Sequence, residues 1–352
     1  MQAMQHPVFR RFWYPIIELS QLTAGPQPFT LLGQEIVLWL QADGTPAALA
    51  DRCPHRQAKL SVDSRVVDGA LACGYHGWQF AGSGACVFVP QMPELKPGNR
   101  SAAKPFSCQA RYGYAWVCLD ENPLQDIPLL PRAADPAFRQ IFEYSEDWRA
   151  NFLRVAENSL DMGHVSFVHR ATFGEEEKPA APRLHVTPLE NGVRFTCALP
   201  VANRSAQQAN LRIVDTHTVR QVEITWTMPG TFQLQFTYPN GLVHAICGFA
   251  TPIDDRNCRR IQFVYRSDSE ADAPGEAIAA FDRSVAAEDR AILESCPADF
   301  PLDPGAEAHM ILDRPSLIMR QVLRRLIREH DPHADLAAHE MGAADAFGMD
   351  AA

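Results

Sequence analysis

Apolar positions along this chain follow two regimes, divided by a proline-rich stretch. Up to about residue 130 they come as short runs broken by Gly and Pro. Phe29–Leu40 (FTLLGQEIVLWL) carries apolar residues around a Gly33–Gln34 turn, and Ala47–Ala50, Ala70–Cys73 and Trp116–Leu119 are further runs. This pattern predicts a small all-β domain. From Asp120 to Asp135 the periodicity stops and prolines accumulate, which reads as a linker. A second unit begins near Phe138. Trp148–His169 is expected to be helical, whereas Leu184–Ser267 alternates like strands punctuated by turn signals at Asn191-Gly192, Pro239-Asn240-Gly241 and Asp254–Asn257. Pro274–Ser295 and Asp313–Glu329 have helical periodicity, the latter opened by an Asp313/Pro315 start signal. The expected organisation is α+β: an all-β domain over 1–125 (core about 12–120), a linker over 126–137, a domain with an antiparallel sheet over 138–335, and a flexible tail over 336–352.

Composition narrows the function classes. At 352 residues, 46% hydrophobic and 21% charged, the chain has material for two cores. Thirty-two basic against 42 acidic residues, a net charge of −10, argue against a protein that grips nucleic-acid phosphates. No apolar run reaches the roughly 18 residues of a membrane span. The polar start Met1–Gln5 shows no secretory signal, so a cytoplasmic location is expected. The nine cysteines are an odd number, which favours reduced thiols or metal ligands over a disulfide framework.

Two of the nine stand beside histidines. CPHR at Cys53–Arg56 and CGYH at Cys73–His76 give a C-x-H pair and a C-x-x-H pair with 17 residues between them. A structural zinc site would favour Cys-x₂₋₄-Cys knuckles. One Cys and one His in each of two loops instead suits a two-iron cluster with two thiolates on one iron and two imidazoles on the other, the Rieske arrangement. Neutral imidazoles in place of thiolates ease reduction, to roughly −150 to +300 mV. Gly74 and Gly77 would let backbone approach such a cluster, Pro54 would stiffen one loop, and Trp78 would shield it from water. CPHR…CGYHGW resembles the Rieske domain of Rieske-type ring-hydroxylating oxygenases, with one departure: Gln57 stands where a glycine commonly follows CPHR.

A second group of candidates lies in ENSLDMGHVSFVH. Asn158, Asp161 and His164 are spaced by three and would share one helix face, while His169 is five residues on, about 140° round a straight helix. The two imidazoles therefore converge only if the helix kinks or ends between them, and Gly163 and Val165 weaken it there. Two histidines need a carboxylate to form the facial triad of non-haem Fe(II) oxygenases. Asp289 supplies one on the apolar stripe Ile278, Phe281, Val285 and Ile292, whereas Asp282 and Glu288 fall off that stripe and read as solvated. An aspartate at the core edge paired with an arginine satisfies the same pattern. Asn158 reads equally as a helix cap and as a group that orients water or O₂. For Asp161 the milder reading is a partner that fixes the His164 tautomer.

N-x-x-D-x-x-H-x₄-H, followed about 120 residues later by Asp289, is similar to the catalytic domain of the same oxygenase family. The resemblance covers about residues 10 to 330 and implies a helix-grip (START-like) catalytic domain. It carries His164, His169 and Asp289 over as ligands of a mononuclear Fe(II), with O₂ as co-substrate. Asp161 becomes a bridge to a cluster histidine across the subunits of a homotrimer. The length resembles the homotrimeric monooxygenase/demethylase group. The activity implied is that of a terminal oxygenase component that hydroxylates or oxidatively demethylates an aromatic or polycyclic molecule. Ring cis-dihydroxylation and a Rieske electron carrier without oxygenase activity are the alternatives. No G-x-G-x-x-G fingerprint follows a strand, so electrons are expected from a separate NAD(P)H-dependent flavin reductase, with or without its own cluster, or from a ferredoxin. Phe195, Leu234, Phe236, Ile246 and Phe249 are candidate pocket residues. His185, His217, His244 and His309, and the remaining cysteines (Cys86, Cys108, Cys118, Cys197, Cys247, Cys258, Cys296), read as structural.

Overall fold

The computed structural model describes residues 3–331, so the expected tail over 336–352 lies outside the described residues. Two compact units appear. One comprises Ala3–Ile127 together with Thr251–Asp254; the other runs over Pro128–Ala250 and from Asp255 on.

The first unit is all-β apart from one-turn helices. Its strands are β1 (Tyr14–Glu18), β2 (Gln27–Leu31), β3 (Gln34–Leu40), β4 (Pro46–Ala50), β5 (Arg65–Val67), β6 (Ala70–Ala72), β7 (Gln79–Phe80), β8 (Cys86–Phe88), β9 (Pro105–Arg111) and β10 (Tyr114–Cys118), with α1 (Leu19–Leu22) after β1. They form a six-stranded sheet in the order β1-β10-β9-β4-β3-β2 and a four-stranded sheet β5-β6-β7-β8. The β2–β3 turn is Leu32–Gly33, with φ of 48° and 72°. Both values are positive, as a two-residue hairpin matching strand twist requires. Trp39, Leu49, Leu60, Leu71 and Phe80 are fully buried in one core that also takes in Cys53 and Cys73. The cysteines thus belong to the core by packing.

The second unit follows the expected strand and helix pattern with two differences. Its strands are β11 (Arg139–Trp148), β12 (His185–Leu189), β13 (Gly192–Ala202), β14 (His217–Thr227), β15 (Thr231–Thr237), β16 (Val243–Pro252) and β17 (Cys258–Arg266); its helices are α2 (Phe152–Asn158), α3 (Val165–Val168), α4 (Ser205–Leu211), α5 (Gly275–Leu293) and α6 (Arg314–His330). The seven strands form one sheet, β11-β17-β16-β15-β14-β13-β12, against which α5 packs at β11 and α6 at β13, the helix-grip arrangement. The helix expected over Trp148–His169 is instead a strand end and two short helices. Trp148 closes β11, and Asn151 starts α2 by accepting a hydrogen bond from the Leu153 amide (3.0 Å). Beyond Asn158 the helix stops. The Ser159 hydroxyl donates to the Ala156 carbonyl (2.6 Å), and Asp161 Oδ1 accepts from the Gly163 amide (2.6 Å), an Asx turn that competes with helical pairing. The break therefore precedes His164, where the sequence placed it after. The other difference is α4, a helix inside the strand region.

The C-terminal end of α2 is held by buried charge. Arg320 of α6 is 1% exposed; its Nε donates to Glu157 Oε1 (2.7 Å) and its Nη2 to Glu157 Oε2 (3.1 Å) and to Glu307. Arg154 joins both carboxylates from the other side, at 2.9 and 2.8 Å. Removing one partner from a buried pair leaves desolvated charge behind, which costs about 3–5 kcal/mol. Arg320→Met is accordingly expected to lower stability by about 3 kcal/mol in urea unfolding; a loss no larger than that of a surface ion pair would refute the network's role.

Candidate metal centres

In the first unit the two Cys/His segments fold into matching loops. Cys53 N donates to Ala58 O (2.8 Å) and Gln57 N to Cys53 O (2.9 Å); Cys73 N donates to Trp78 O (2.9 Å) and Gly77 N to Cys73 O (2.8 Å). Each loop closes at the fourth residue after its cysteine, with φ of 58° at Gln57 and 72° at Gly77. Gly77 holds that left-handed turn without cost, whereas Gln57 holds it against its own Cβ. Gly74 is required by close approach, since a Cβ there would lie 2.7 Å from the Val62 and Asp63 backbone.

The loops point thiols inward and imidazoles outward. Cys53 and Cys73 are 2% and 3% exposed, and burial, ahead of the neighbouring Cys73, pushes the Cys53 thiol up to about 11. His55 and His76 sit edge to face, 4.4 Å between ring centroids, and Trp78 stacks on His55 at 4.5 Å. Loss of water around the ring, then the His76 charge, hold His55 below its usual value, and its buried Nδ1 has no hydrogen-bond partner. Two thiols and two imidazoles, one of them with an orphaned nitrogen, are the donor set of a Rieske cluster.

In the second unit three donors converge. His164 Nε2 and His169 Nε2 are 3.2 Å apart, and Asp289 Oδ1 lies 3.5 Å from the first and 3.4 Å from the second. They arrive from α3 and α5. The single turn of α3 is flanked by His164 before it and His169 after it, so five residues of separation bring the rings together. The turn is fastened at the His169 carbonyl, which accepts from the amides of Thr172, Phe173 and Gly174 at 3.0, 3.0 and 2.7 Å. Gly174 must be glycine there, because a Cβ would meet Val165 O at 2.3 Å.

Proton placement decides what this group can do. His164 Nδ1 faces Asp161 Oδ2 (3.3 Å) and His169 Nδ1 faces Glu288 Oε2 (2.9 Å), and Thr172 donates to the same Glu288 oxygen (2.9 Å). A carboxylate only accepts, so each ring carries its proton on Nδ1 and turns a bare Nε2 inward. Two imidazole lone pairs and a carboxylate oxygen then meet with no hydrogen between them. Asp289 Oδ1 is buried without a hydrogen-bond donor. Such an arrangement repels itself unless a cation sits within it, and two His with one carboxylate is the facial triad. Burial disfavours charge on both rings. At His164 the Asp161 hydrogen bond and the Asp289 charge prevail and hold the ring above its usual value; at His169 burial prevails and holds it below.

These residues edge a cavity of about 140 Å³. Asn158, the last residue of α2, lines it, as do Leu234, Phe236 and Ile246; Phe195 and Phe249 are fully buried elsewhere in the core. Two expectations for α5 are overturned. Asp282 is buried, not solvated, with its Oδ2 3.1 Å from His244 Nε2, and Glu288 is the partner of His169. Ile292 is 52% exposed and Leu293 takes the buried position, because the buried face runs Ile278, Asp282, Ala286, Leu293, rotated from the stripe read in the sequence. His244, expected to be structural, lines the cavity; the Arg266 guanidinium 3.1 Å from its Nδ1 can only donate, which places its proton on Nε2. His217 bonds Glu175, His309 lies 3.8 Å from Asp313, and His185 is exposed. All nine cysteines are unbridged.

Residues 148–329 match the Vanillate O-demethylase oxygenase C-terminal domain, and residues 12–99 match the Rieske [2Fe-2S] domain. The chain is 29% identical over 330 residues to methylxanthine N1-demethylase NdmA of Pseudomonas putida, covering 91% of this chain and 90% of that protein. To methylxanthine N3-demethylase NdmB of the same organism it is 28% identical, covering 89% and 88%. A solved structure of NdmA with caffeine aligns with a TM-score of 0.82 at 28% identity, over 92% of this chain and 93% of that one.

Two expectations follow from the geometry. Gln57→Gly should relieve the left-handed strain and stabilise the folded chain by about 1 kcal/mol, seen as a melting midpoint a few degrees higher; an unchanged or lower midpoint would show that Gln57 is unstrained. Glu288→Ala should release the His169 ring and weaken Fe(II) binding about 10- to 100-fold. Iron retained against a chelator measures this, with the visible absorbance of the cluster unchanged.

Proposed function

We propose an activity for a chain that belongs to the vanillate O-demethylase oxygenase C-terminal domain family and carries a Rieske domain ahead of it. It is the terminal oxygenase component of a multicomponent NAD(P)H-dependent system, an oxidoreductase that uses O₂ to hydroxylate or oxidatively demethylate a small aromatic or polycyclic molecule. The observation that carries this reading is the meeting of His164 Nε2, His169 Nε2 and Asp289 Oδ1 with no proton among them. We assign Cys53, Cys73, His55 and His76 to the [2Fe-2S] cluster and His164, His169 and Asp289 to the mononuclear Fe(II). When bound, the cluster supplies electrons singly and the Fe(II) supplies the site of O₂ activation.

The remaining steps belong to side chains. Asp161 and Glu288 hold the Nδ1 protons in place, so both rings turn Nε2 toward the iron site. Asp161 keeps a 36% exposed side chain, and its outer edge suits the proposed bridge to a cluster histidine of a neighbouring subunit in a homotrimer. Asn158 lines the cavity from the end of α2 and is placed to orient a polar ligand, while Phe173, stacked on His169 at 4.9 Å, excludes water from that face. Demethylation is the favoured outcome, since both relatives named above are demethylases. It balances as R–X–CH₃ + O₂ + 2e⁻ + 2H⁺ → R–XH + HCHO + H₂O, the hydroxylated methyl collapsing to formaldehyde. The electrons come from a reductase or ferredoxin; a flavin reductase is proposed as the donor. Among the described residues no helix is long and apolar enough to cross a membrane. A cytoplasmic location is proposed from the nine unbridged cysteines.

Iron analysis tests the assignment. The purified chain should hold three irons, two in the cluster and one mononuclear, and Asp289→Ala should lose only the mononuclear one, with NADH-driven formaldehyde release falling at least 100-fold. A variant that kept all its iron and its turnover would refute the triad. Product masses distinguish the chemistry: a cis-diol would overturn the monooxygenase reading.

A further inference from the structure

Seven residues before Asp289 on α5, a second pair of carboxyl groups meets at the cavity wall, and the reaction above gives it no part. Asp282 is 9% exposed and lines the cavity with His244, Gln262, Arg260 and Arg266. Its partner is Glu143 of β11. In the pairing of β11 with β17, Phe142 faces Phe263 and Tyr144 faces Gln262, so Glu143 is the extra residue of a β-bulge. A bulge re-aims a side chain that strand alternation would send elsewhere. Here it sets Glu143 beside Asp282, with a side-chain hydrogen bond between the two carboxyl groups.

The neighbours leave that bond one form. Arg260 and Tyr144 donate to Gln262 Oε1 at 2.5 and 3.0 Å, which turns the Gln262 Nε2 donors toward Glu143 Oε2, 2.7 Å away. On the other side Arg266 donates to His244 Nδ1, and the Nε2–H faces Asp282 Oδ2 at 3.1 Å. Both runs of donors thus end on carboxyl oxygens. Glu143 Oε1 is buried with no donor, and Asp282 Oδ2 has none in good alignment. Two bare carboxylates only accept and repel each other, so a proton lies between them. Burial, then the Asp282 charge, push the Glu143 carboxyl well above its usual range. The other charged or titratable groups facing the pair are His244 and Cys247 from β16, Arg260 and Arg266 from β17, and Tyr144 from β11. The iron site is the reverse case. There bare Nε2 atoms meet a carboxylate and call for a cation; here Arg266 makes His244 present an N–H, and the group calls for a proton.

We propose that Glu143 and Asp282 share one proton, that this proton fastens α5 to β11 from the inside, and that Glu143 is thereby a positioning residue for the iron ligand Asp289. The effect on iron rests on the oxygenase reading above; the shared proton does not. Polar ties between α5 and β11 elsewhere run along the surface: Arg283 to Glu146 at 2.7 Å, and Arg290 to Glu146 at 3.5 Å and to the Asp147 carbonyl at 3.0 Å. Exposed pairs of that kind contribute little. Without the proton, two buried anions repel across the α5–β11 contact. Glu288 and Asp289, about two turns further on, move with the helix.

Infrared spectroscopy and iron retention test this together. The difference spectrum of the iron-loaded chain against Glu143→Gln at neutral pH should show the C=O band of a protonated carboxylic acid, shifted in D₂O. Glutamine keeps a donor toward Asp282 and cannot lose it, so the resistance of its mononuclear iron to a chelator should stay flat from neutral to alkaline pH. In the unsubstituted chain that resistance should fall about 10-fold over the same range. Histidine ligands titrate the other way and bind metal better as pH rises, so they do not produce such a fall. Glu143→Ala, with no donor, should release iron about 10-fold faster already at neutral pH; if it does not fold, the two pH profiles decide. Absence of the acid band overturns the shared proton. An acid band with iron retention alike in every chain and at every pH overturns the positioning role. An unsubstituted chain without mononuclear iron sinks the oxygenase reading and the positioning role with it, while the infrared band still decides the proton.

Discussion

Three lone pairs within 3.5 Å of one another are the constraint around which the second unit is arranged. They repel, so the fold must hold them together by other means, and it does so from outside. Carboxylates on the far nitrogens of both rings fix the tautomers, and two further anchors, one of backbone and one of side chains, hold the chain. One is the crowded carbonyl of His169; the other is the buried Arg320–Glu157 pair at the end of α2. The helix break after Asn158 is part of the same solution. A continuous helix would set His164 and His169 about 140° apart, whereas a single turn flanked by the two places both rings on one centre.

The Rieske unit meets a related demand by repetition. Its two loops close with the same pair of backbone hydrogen bonds, although one histidine follows its cysteine by two residues and the other by three. The shared feature is the left-handed residue four after each cysteine. Both thiols consequently sink into the core and both imidazoles stay at its edge, which separates the sulfur half of the donor set from the nitrogen half.

Much of this was legible in the chain. Cys53, His55, Cys73 and His76 are rare residue types at a tight spacing, and Asp289 stands out because a carboxylate on a core-facing stripe needs a reason. What the sequence hid has physical causes. Glu288 and His169 are 119 residues apart, and nothing local marks a helix carboxylate as the partner of a distant ring. Asp282 was read as solvated because its stripe was aligned one residue out of phase; a helix face defined by four apolar positions tolerates that error, and Ile292 is where it shows. The end of α2 was missed because Ser159 and the Asp161–Gly163 turn act through side-chain bonds to backbone, which hydrophobic periodicity does not register. Glu143 gave no signal at all, since a glutamate among alternating strand residues looks solvent-facing until the bulge is placed.

Charge also orders the cavity end to end. A divalent cation held by His164, His169 and Asp289 would have three carboxylates close by: Asp289 itself, Asp161 and Glu288. Together they more than neutralise it, so the metal end offers an anion no net attraction. The rest of the lining is not left apolar: Arg220, Arg260, Arg266, His244 and Asp282 also face the cavity, so its polar groups extend well beyond the three donors.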